Sequence, residues 1–218
     1  MKNKLLTALL GVMVALLILT ASIGLPIYVR PFYYAQIDAL NIEAYSGYDR
    51  ETIVEAYDEM IEFCTNPWAE FGTGDLKYSE NGKSHFEDCK GLFLLNGAVL
   101  LVSSISVVAL LILRHLGVFE LTRPLGYDVT FFSAVGLLGT FALIGGLAAI
   151  DFNTAFVIFH TLFFPGKDNW LFDPRTDQII MILPQDFFMN CAILIVSSII
   201  ITSLVFIILG VVKRNKRA

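Results

Sequence analysis

The sequence predicts an all-α integral membrane protein, with four transmembrane helices and two extracytoplasmic segments that contain amphipathic or interfacial helices. Three observations carry this. Hydrophobic residues make up 56% of the 218 residues and charged residues only 16%, against roughly 45–50% and about 25% in a soluble domain. Four runs hold no charged residue: 5–28, 91–113, 129–150 and 187–212. Each exceeds the ~18 residues that mark a spanning helix. Residues 1–218 therefore read as a single membrane domain with extracytoplasmic segments 29–90 and 151–186. The composition excludes a disordered or fibrous chain. Together with the net charge of −5 it also excludes a nucleic-acid-binding module, which needs a basic face.

Each run is expected to be helical, because a span in lipid must satisfy its own backbone hydrogen bonds. The first follows Lys2 and Lys4. It is longer than the ~7–15 residues of a signal-peptide core, so it reads as a span. Charge then sets orientation. Lys2, Lys4, Arg114, Arg123, Lys213, Arg214, Lys216 and Arg217 fall on one side, opposed only by Glu120 and Asp128. The other side has seven Lys/Arg and eighteen Asp/Glu. The positive-inside rule places both termini in the cytoplasm of a plasma-membrane protein and both long connections outside. Tyr28, Phe32, Tyr33 and Tyr34 after the first span, with Phe187 and Phe188 at the fourth, read as an outer aromatic belt. The third span holds Gly136, Gly139, Gly145 and Gly146 among alanines, which reads as close helix packing.

In the first outer segment, Ile53, Val54, Tyr57, Met60, Ile61 and Cys64 recur at helical spacing. A soluble helix is expected over 49–66, capped by Asp49 and stopped by Asn66-Pro67. Its other face, with Glu51, Glu55, Asp58, Glu59 and Glu62, reads as a solvated acidic surface. Gly72-Thr73-Gly74-Asp75 is a turn without phosphate-loop spacing. Cys64 and Cys89 both fall on the oxidising side, where a disulfide is chemically allowed. Cys191 reads as a packing residue inside the fourth span.

The second outer segment is the more unusual. Residues 152–165 are too short to span and read as an interfacial or re-entrant helix. Phe152, Phe156, Phe159 and Phe163 share one of its faces, His160 lies on it, and Pro165-Gly166 ends it. A polar cluster follows, from Lys167 to Arg175. Asp173-Pro174 has the form of a helix start, and a short helix is expected from there through Ile182 to Pro184.

Two histidines, His85 and His160, fall on the outer side near membrane level, whereas His115 reads as an interface residue at an inner span end. If the second span extends back as helix, His85 and Asp88 share a face at i, i+3, and an Asp beside an imidazole can fix its tautomer. There is no Gly-x-Ser-x-Gly elbow, His-Glu-x-x-His or Walker loop. The usual serine hydrolases and zinc proteases are therefore disfavoured. A metal site from His85, His160 and an Asp matches no standard spacing. The spans carry no Asp, Glu, Lys or Arg of the kind that marks ion paths in transporters.

The segment from Asp151 to Phe188 carries Phe159-His160, Phe163-Phe164-Pro165-Gly166, Trp170, Phe172, Leu183-Pro184 and Phe187-Phe188. With His85-Phe86-Glu87-Asp88-Cys89-Lys90, these residues resemble the lipoprotein intramolecular transacylase family, Lit, of Gram-positive bacteria. The resemblance covers the layout of the whole chain. It departs at Cys89, where the family usually has an aliphatic residue. It implies an intramolecular acyltransferase of the cell envelope. The sn-2 acyl chain of a diacylglyceryl lipoprotein would move to the α-amine of its N-terminal cysteine, giving the lyso-form, N-acyl S-monoacylglyceryl product. Metals, soluble cofactors and an obligatory protein partner are not expected. Membrane lipids are the expected surroundings.

The residues suit such chemistry. The amine must lose a proton and the glyceryl oxygen must gain one, and two histidines fit those jobs. His85, supported by Asp88, is the preferred base, with His160 as its partner, acting as acid or as second base; the residues leave the reverse assignment open. Lys167, Asn169, Trp170 and Arg175 are candidates for oxyanion or substrate contacts. Asp151 and Asp173 read first as helix caps, and are kept as supporting and substrate-binding candidates. Other readings of the sequence are a phospholipase or O-acyltransferase using the same histidines, a non-catalytic membrane sensor or assembly factor, and a metal-dependent membrane hydrolase.

Overall fold

A computed structural model describes residues 3–217; Lys2, part of the basic N-terminal stub, lies outside them. The long helices are α1 (Lys4–Tyr28), α5 (Glu80–His115), α6 (Val129–Ile150) and α8 (Gln185–Asn215). Between them come α2 (Arg30–Ala39), α3 (Ile42–Ser46), α4 (Arg50–Thr65) and α7 (Phe152–Phe163). Two 3₁₀ turns lie at Pro124–Gly126 and Gln178–Met181. The four long helices are long and apolar enough to cross a membrane. α5 has 36 residues, which at ~1.5 Å each give about 54 Å, against a hydrocarbon core of ~30 Å. α5 is therefore longer than a crossing requires.

The backbone divides into two compact units. One comprises Met1–Ile23, Gly97–Gly146 and Leu194–Ala218. Leu10, Val14, Ile18, Leu110, Phe119 and Leu121 form its buried cluster. Helix approach is close in places. A side chain at Gly145 would meet Val196 Cγ1 at 2.9 Å, and Ala134 is fully buried. Gly136, Gly139 and Gly146 have no such neighbour. The expected packing stripe is thus confined to one side of α6. At one end, Asn3 donates its N–H to Glu120 O (3.1 Å), and Asp128 pairs with Arg123 (2.8 Å) and Arg217 (3.3 Å). The N-terminal residues, the connection between α5 and α6 and the C-terminal tail therefore share that end.

The other unit comprises Gly24–Asn96 and Leu147–Ile193. α4 forms as its sequence predicts. Asp49 accepts the Thr52 N–H (2.8 Å) at its start, and Ile53, Ala56, Tyr57, Met60, Ile61, Phe63 and Cys64 are its buried side. Its acidic face is not wholly solvated, since Arg30 pairs with Glu62 (2.8 Å) and Asp58 (3.5 Å). Sequence reasoning missed α2 and α3, which are short and joined through Asn41 in the left-handed region. It also misplaced Tyr33. This ring is buried, stacks on Tyr57 at 3.6 Å and donates its hydroxyl to Ile182 O (2.8 Å), so it is core rather than membrane belt. Cys64, Cys89 and Cys191 are all free thiols, so the allowed disulfide is not formed.

Candidate active site

The site belongs to the second unit and is built from α5, α7 and the segment after α7. Ser79 accepts the Gly82 N–H (3.0 Å) and so starts α5. Asp177 in turn accepts from the Ser79 N–H and hydroxyl (both 2.8 Å). Buried Asp177 therefore ties the segment after α7 to the first turn of α5. Sequence reasoning missed this tie, and the residues are 98 positions apart. Asp151 caps α7 by accepting from the Thr154 N–H (3.1 Å) and hydroxyl (2.6 Å). Asp151 thus serves as the cap of α7. The Phe164–Lys167 turn that follows closes with Lys167 N–H donating to Phe164 O (3.1 Å), and Gly166 supplies the φ of +74° that side-chain-bearing residues rarely adopt.

These elements bring His85 and His160 together. Their ring centroids are 5.8 Å apart, and both residues are buried. Phe164 and Phe172 lie edge-on to His85 at 4.9 and 5.5 Å. Trp170 stacks on His160 at 4.6 Å, with Phe156 at 4.2 Å. The His160 Nδ1–H donates to Phe156 O at 2.8 Å. A carbonyl only accepts, so this bond fixes the tautomer and leaves the lone pair on Nε2. His85 Nε2 lies 3.4 Å from Cys89 Sγ, and His85 Nδ1 is buried without a hydrogen-bond partner.

The support expected from Asp88 takes another form. Asp88 does not hold His85. It accepts from Lys167 Nζ (2.5 Å) and from Asn169 Nδ2 (3.1 Å). Asn169 Oδ1, like His85 Nδ1, is buried and unpartnered. Burial pulls the His85 pKa down to about 4, and the neighbouring His160 adds to this against the opposing pull of Asp88 and the Asn169 carboxamide. Burial also lowers the pKa of His160, against its bond to Phe156. Partial burial would raise the Asp88 pKa, but Lys167 and Asn169 outweigh it and hold the carboxyl below its usual range. The site thus presents two neutral imidazoles beside a fixed ion pair.

Other expected contacts are elsewhere. The Trp170 indole N–H donates to Lys167 O (3.2 Å), so it is not a free oxyanion donor. Asp173 starts no helix. Its carboxylate accepts from the Arg175 N–H (3.0 Å) and guanidinium (2.6 Å), its carbonyl accepts from the Thr176 (3.0 Å) and Asp177 (2.8 Å) N–H groups to close a turn over 174–176, and the 3₁₀ turn begins only at Gln178. Asp173 and Arg175 pair with each other at the surface, and none of their bonds reaches the histidines. Arg175 holds the Asp173 pKa down to about 2. Among the described residues, no three His, Cys, Asp or Glu side chains gather to hold a metal ion. The Cys89 contact was missed, although its position four residues after His85 on one helix face was a readable signal.

The family model described as lipoprotein intramolecular transacylase Lit matches residues 8–188. The fold is similar to a solved structure of the membrane-integral lipoprotein intramolecular transacylase Lit from Bacillus cereus. The TM-score is 0.85 at 26% identity, covering 98% of this chain and 96% of that one. Two further structures, of variants of the Bacillus cereus protein with one histidine replaced by arginine or by alanine, give TM-scores of 0.77 at 26% identity. They cover 98% of this chain and 92% and 94% of theirs. No curated protein matches. The four apolar helices, the family match over most of the chain and the agreement in fold lead to one conclusion: this multi-pass membrane protein belongs to the lipoprotein intramolecular transacylase family, Lit, and is an acyltransferase.

Proposed function

We propose that the chain transfers the sn-2 acyl chain of a diacylglyceryl lipoprotein to the α-amine of its N-terminal cysteine, with His85 and His160 moving the protons. The observation that carries this is the pair of buried imidazoles 5.8 Å apart beside the Asp88–Lys167 pair, in a chain of this family. Donor ester and acceptor amine belong to one molecule, so holding them together supplies the proximity term, up to ~7–11 kcal/mol in favourable cases. No enzyme nucleophile is needed, because the amine attacks.

The proton inventory closes with these two residues. The substrate arrives as an ammonium. His160 Nε2 takes one proton, which frees the amine lone pair. The amine nitrogen attacks the sn-2 carbonyl carbon, forming the C–N bond. His85 Nδ1 takes a second proton from the nitrogen as the tetrahedral intermediate forms. The bond to the glyceryl oxygen then breaks, and the His160 imidazolium protonates that oxygen. The products are the amide, a free sn-2 hydroxyl and one proton, released from His85 to solvent. The lowered pKa values of both histidines keep them neutral, with their lone pairs free, before the amine arrives. Each transfer typically contributes ~10²–10⁴-fold. Lys167 is the donor proposed for the developing oxyanion. The exposed apolar side of α7, with Val157, Ile158 and Leu162, would lie among membrane lipids.

The charge asymmetry supports cytoplasmic termini and a reaction on the outer face. The direct test is intact-mass analysis of an N-terminal lipopeptide from a host with and without the chain, and with His85→Ala or His160→Ala. Lyso-form product is expected only with the unaltered chain. Undiminished product from both variants would sink the histidine mechanism.

A further inference from the structure

Two buried polar atoms of the site remain without partners, and both face the same need. Asn169 is 8% exposed and His85 6%. The Asn169 carboxamide is held at one end: Nδ2 donates to Asp88 Oδ2 at 3.1 Å and lies 3.5 Å from Ser84 Oγ. A carboxylate only accepts, so the end toward Asp88 must be the NH₂. The end left over is Oδ1, a pure acceptor with no hydrogen bond. The sequence offered Asn169 as an oxyanion donor, and this orientation gives it the opposite character. His85 is similar. Nε2 lies 3.4 Å from Cys89 Sγ; in the tautomer that keeps the proton on Nε2, Nδ1 carries a lone pair, and it too has no partner.

Buried acceptors are normally satisfied, and two in one site call for a ligand rich in N–H. We propose that Asn169 Oδ1 and His85 Nδ1 together receive the primary amine of the acceptor substrate, with Asn169 as the residue that selects a free amine over an acylated one. This deepens the proposed function and rests on it. An ammonium has three N–H groups, and the site has three acceptors for them: His160 Nε2, His85 Nδ1 and Asn169 Oδ1. The two imidazoles take the protons that leave. Asn169 holds the one that stays on the product amide. An N-acylated cysteine has a single N–H and a bulky acyl group, so it leaves an acceptor unpaired. A hydroxyl likewise has only one hydrogen. The Asp88–Lys167 pair sets the orientation of Asn169 without adding a net charge that would trap a cation.

The test uses two unreactive probes, diacylglyceryl lipopeptides with an ether in place of the sn-2 ester. One has a free α-amine and the other an α-N-acetyl group. Binding of each is measured to the purified full-length protein and to Asn169→Leu. The unaltered protein should prefer the free amine by about tenfold or more, since a site built to hydrogen-bond an N–H rejects an analogue that lacks it. Asn169→Leu should collapse that ratio toward one by weakening only the free-amine probe. An Asn169 that merely braces the loop would weaken both probes alike and leave the ratio unmoved, which overturns the proposal. Equal binding of both probes by the unaltered protein overturns it without any variant. Failure of the underlying reading is separate: it appears as no turnover of the ester lipopeptide by the unaltered protein.

Discussion

The two compact units differ in how they bury polarity. The unit with Leu10, Val14 and Leu110 at its centre buries few polar side chains, all of them hydroxyls, and leaves only the buried Ser203 hydroxyl oxygen among its described residues without a partner. Ser133 donates to Gly11 O (2.7 Å) and Ser22 to Ser198 (3.2 Å). Its remaining surface is apolar and open, as with Leu101, Leu143 and Ile201. The unit with the histidines buries His85, His160, Asn169 and Asp177, and leaves two of their atoms unpartnered. Burial of apolar surface is tolerant of detail, whereas a polar network in a dry site is not. One unit thus answers to packing and the other to chemistry. Substitutions should separate them, with loss of activity in one and loss of stability in the other.

The largest effect is expected at the imidazoles. His85→Ala or His160→Ala should lower turnover by at least ~10², with the protein still extractable and folded by circular dichroism. Loss of fold in both would merge the two categories. Next is Asp88→Asn. It removes the charge that Lys167 pairs with and leaves one acceptor oxygen where Lys167 and Asn169 now have one each. About a tenfold loss of kcat/KM is expected, and little loss of stability, because the ion pair is partly exposed and such pairs contribute little. In the other unit, Gly145→Leu would press on Val196 and should destabilise by ~1–3 kcal/mol. Activity per folded molecule should be unchanged; a larger effect on kcat than on melting would break the comparison. Within the histidine unit but away from the imidazoles, Tyr33→Phe removes the buried bond to Ile182 O and should cost about 1 kcal/mol, measured by thermal unfolding.

The smallest effect is a pH dependence. Both histidines have folded-state pKa values below the ordinary 6.5, about 4 for His85. On acidification the unfolded chain takes up these protons first, so stability should fall as pH drops below about 6.5. The fall attributable to His85 should level off below about 4. A melting series from pH 7 to 4 should show a shallower decline in His85→Phe. An equal decline would show that His85 does not carry the effect.

The fold was largely legible because its strongest signals are uncharged runs longer than 20 residues, α4 periodicity and the caps at Asp49 and Asp151. Each is local in sequence. His85 and His160 were legible as rare polar groups in greasy surroundings. What sequence did not reveal was pairing over distance. Asp88 meets Lys167 and Asn169 from another part of the chain, and Asp177 meets Ser79. No periodicity encodes such contacts. α2 and α3 escaped because helices of 10 and 5 residues are too short for a repeating stripe. Asp173 misled because the signal for a cap also fits a residue whose carboxylate its neighbour Arg175 occupies.

The continuity of α5 has a consequence for how this chain tolerates insertions. His85 and the residues of the second span lie on one unbroken helix from Glu80 to His115. Adding a residue within the span shifts what lies above it by ~1.5 Å and turns it by about 100°. A single insertion between Gly91 and Asn96, where α5 still runs within the unit of the histidines, would therefore turn His85 away from Phe164 and Phe172, although it changes no residue of the site. Adaptation of this helix to a thicker or thinner bilayer should accordingly proceed by exchange of residues, or by additions of three to four that restore the angular phase. The length of a greasy, outwardly featureless span is in this way under the control of one imidazole.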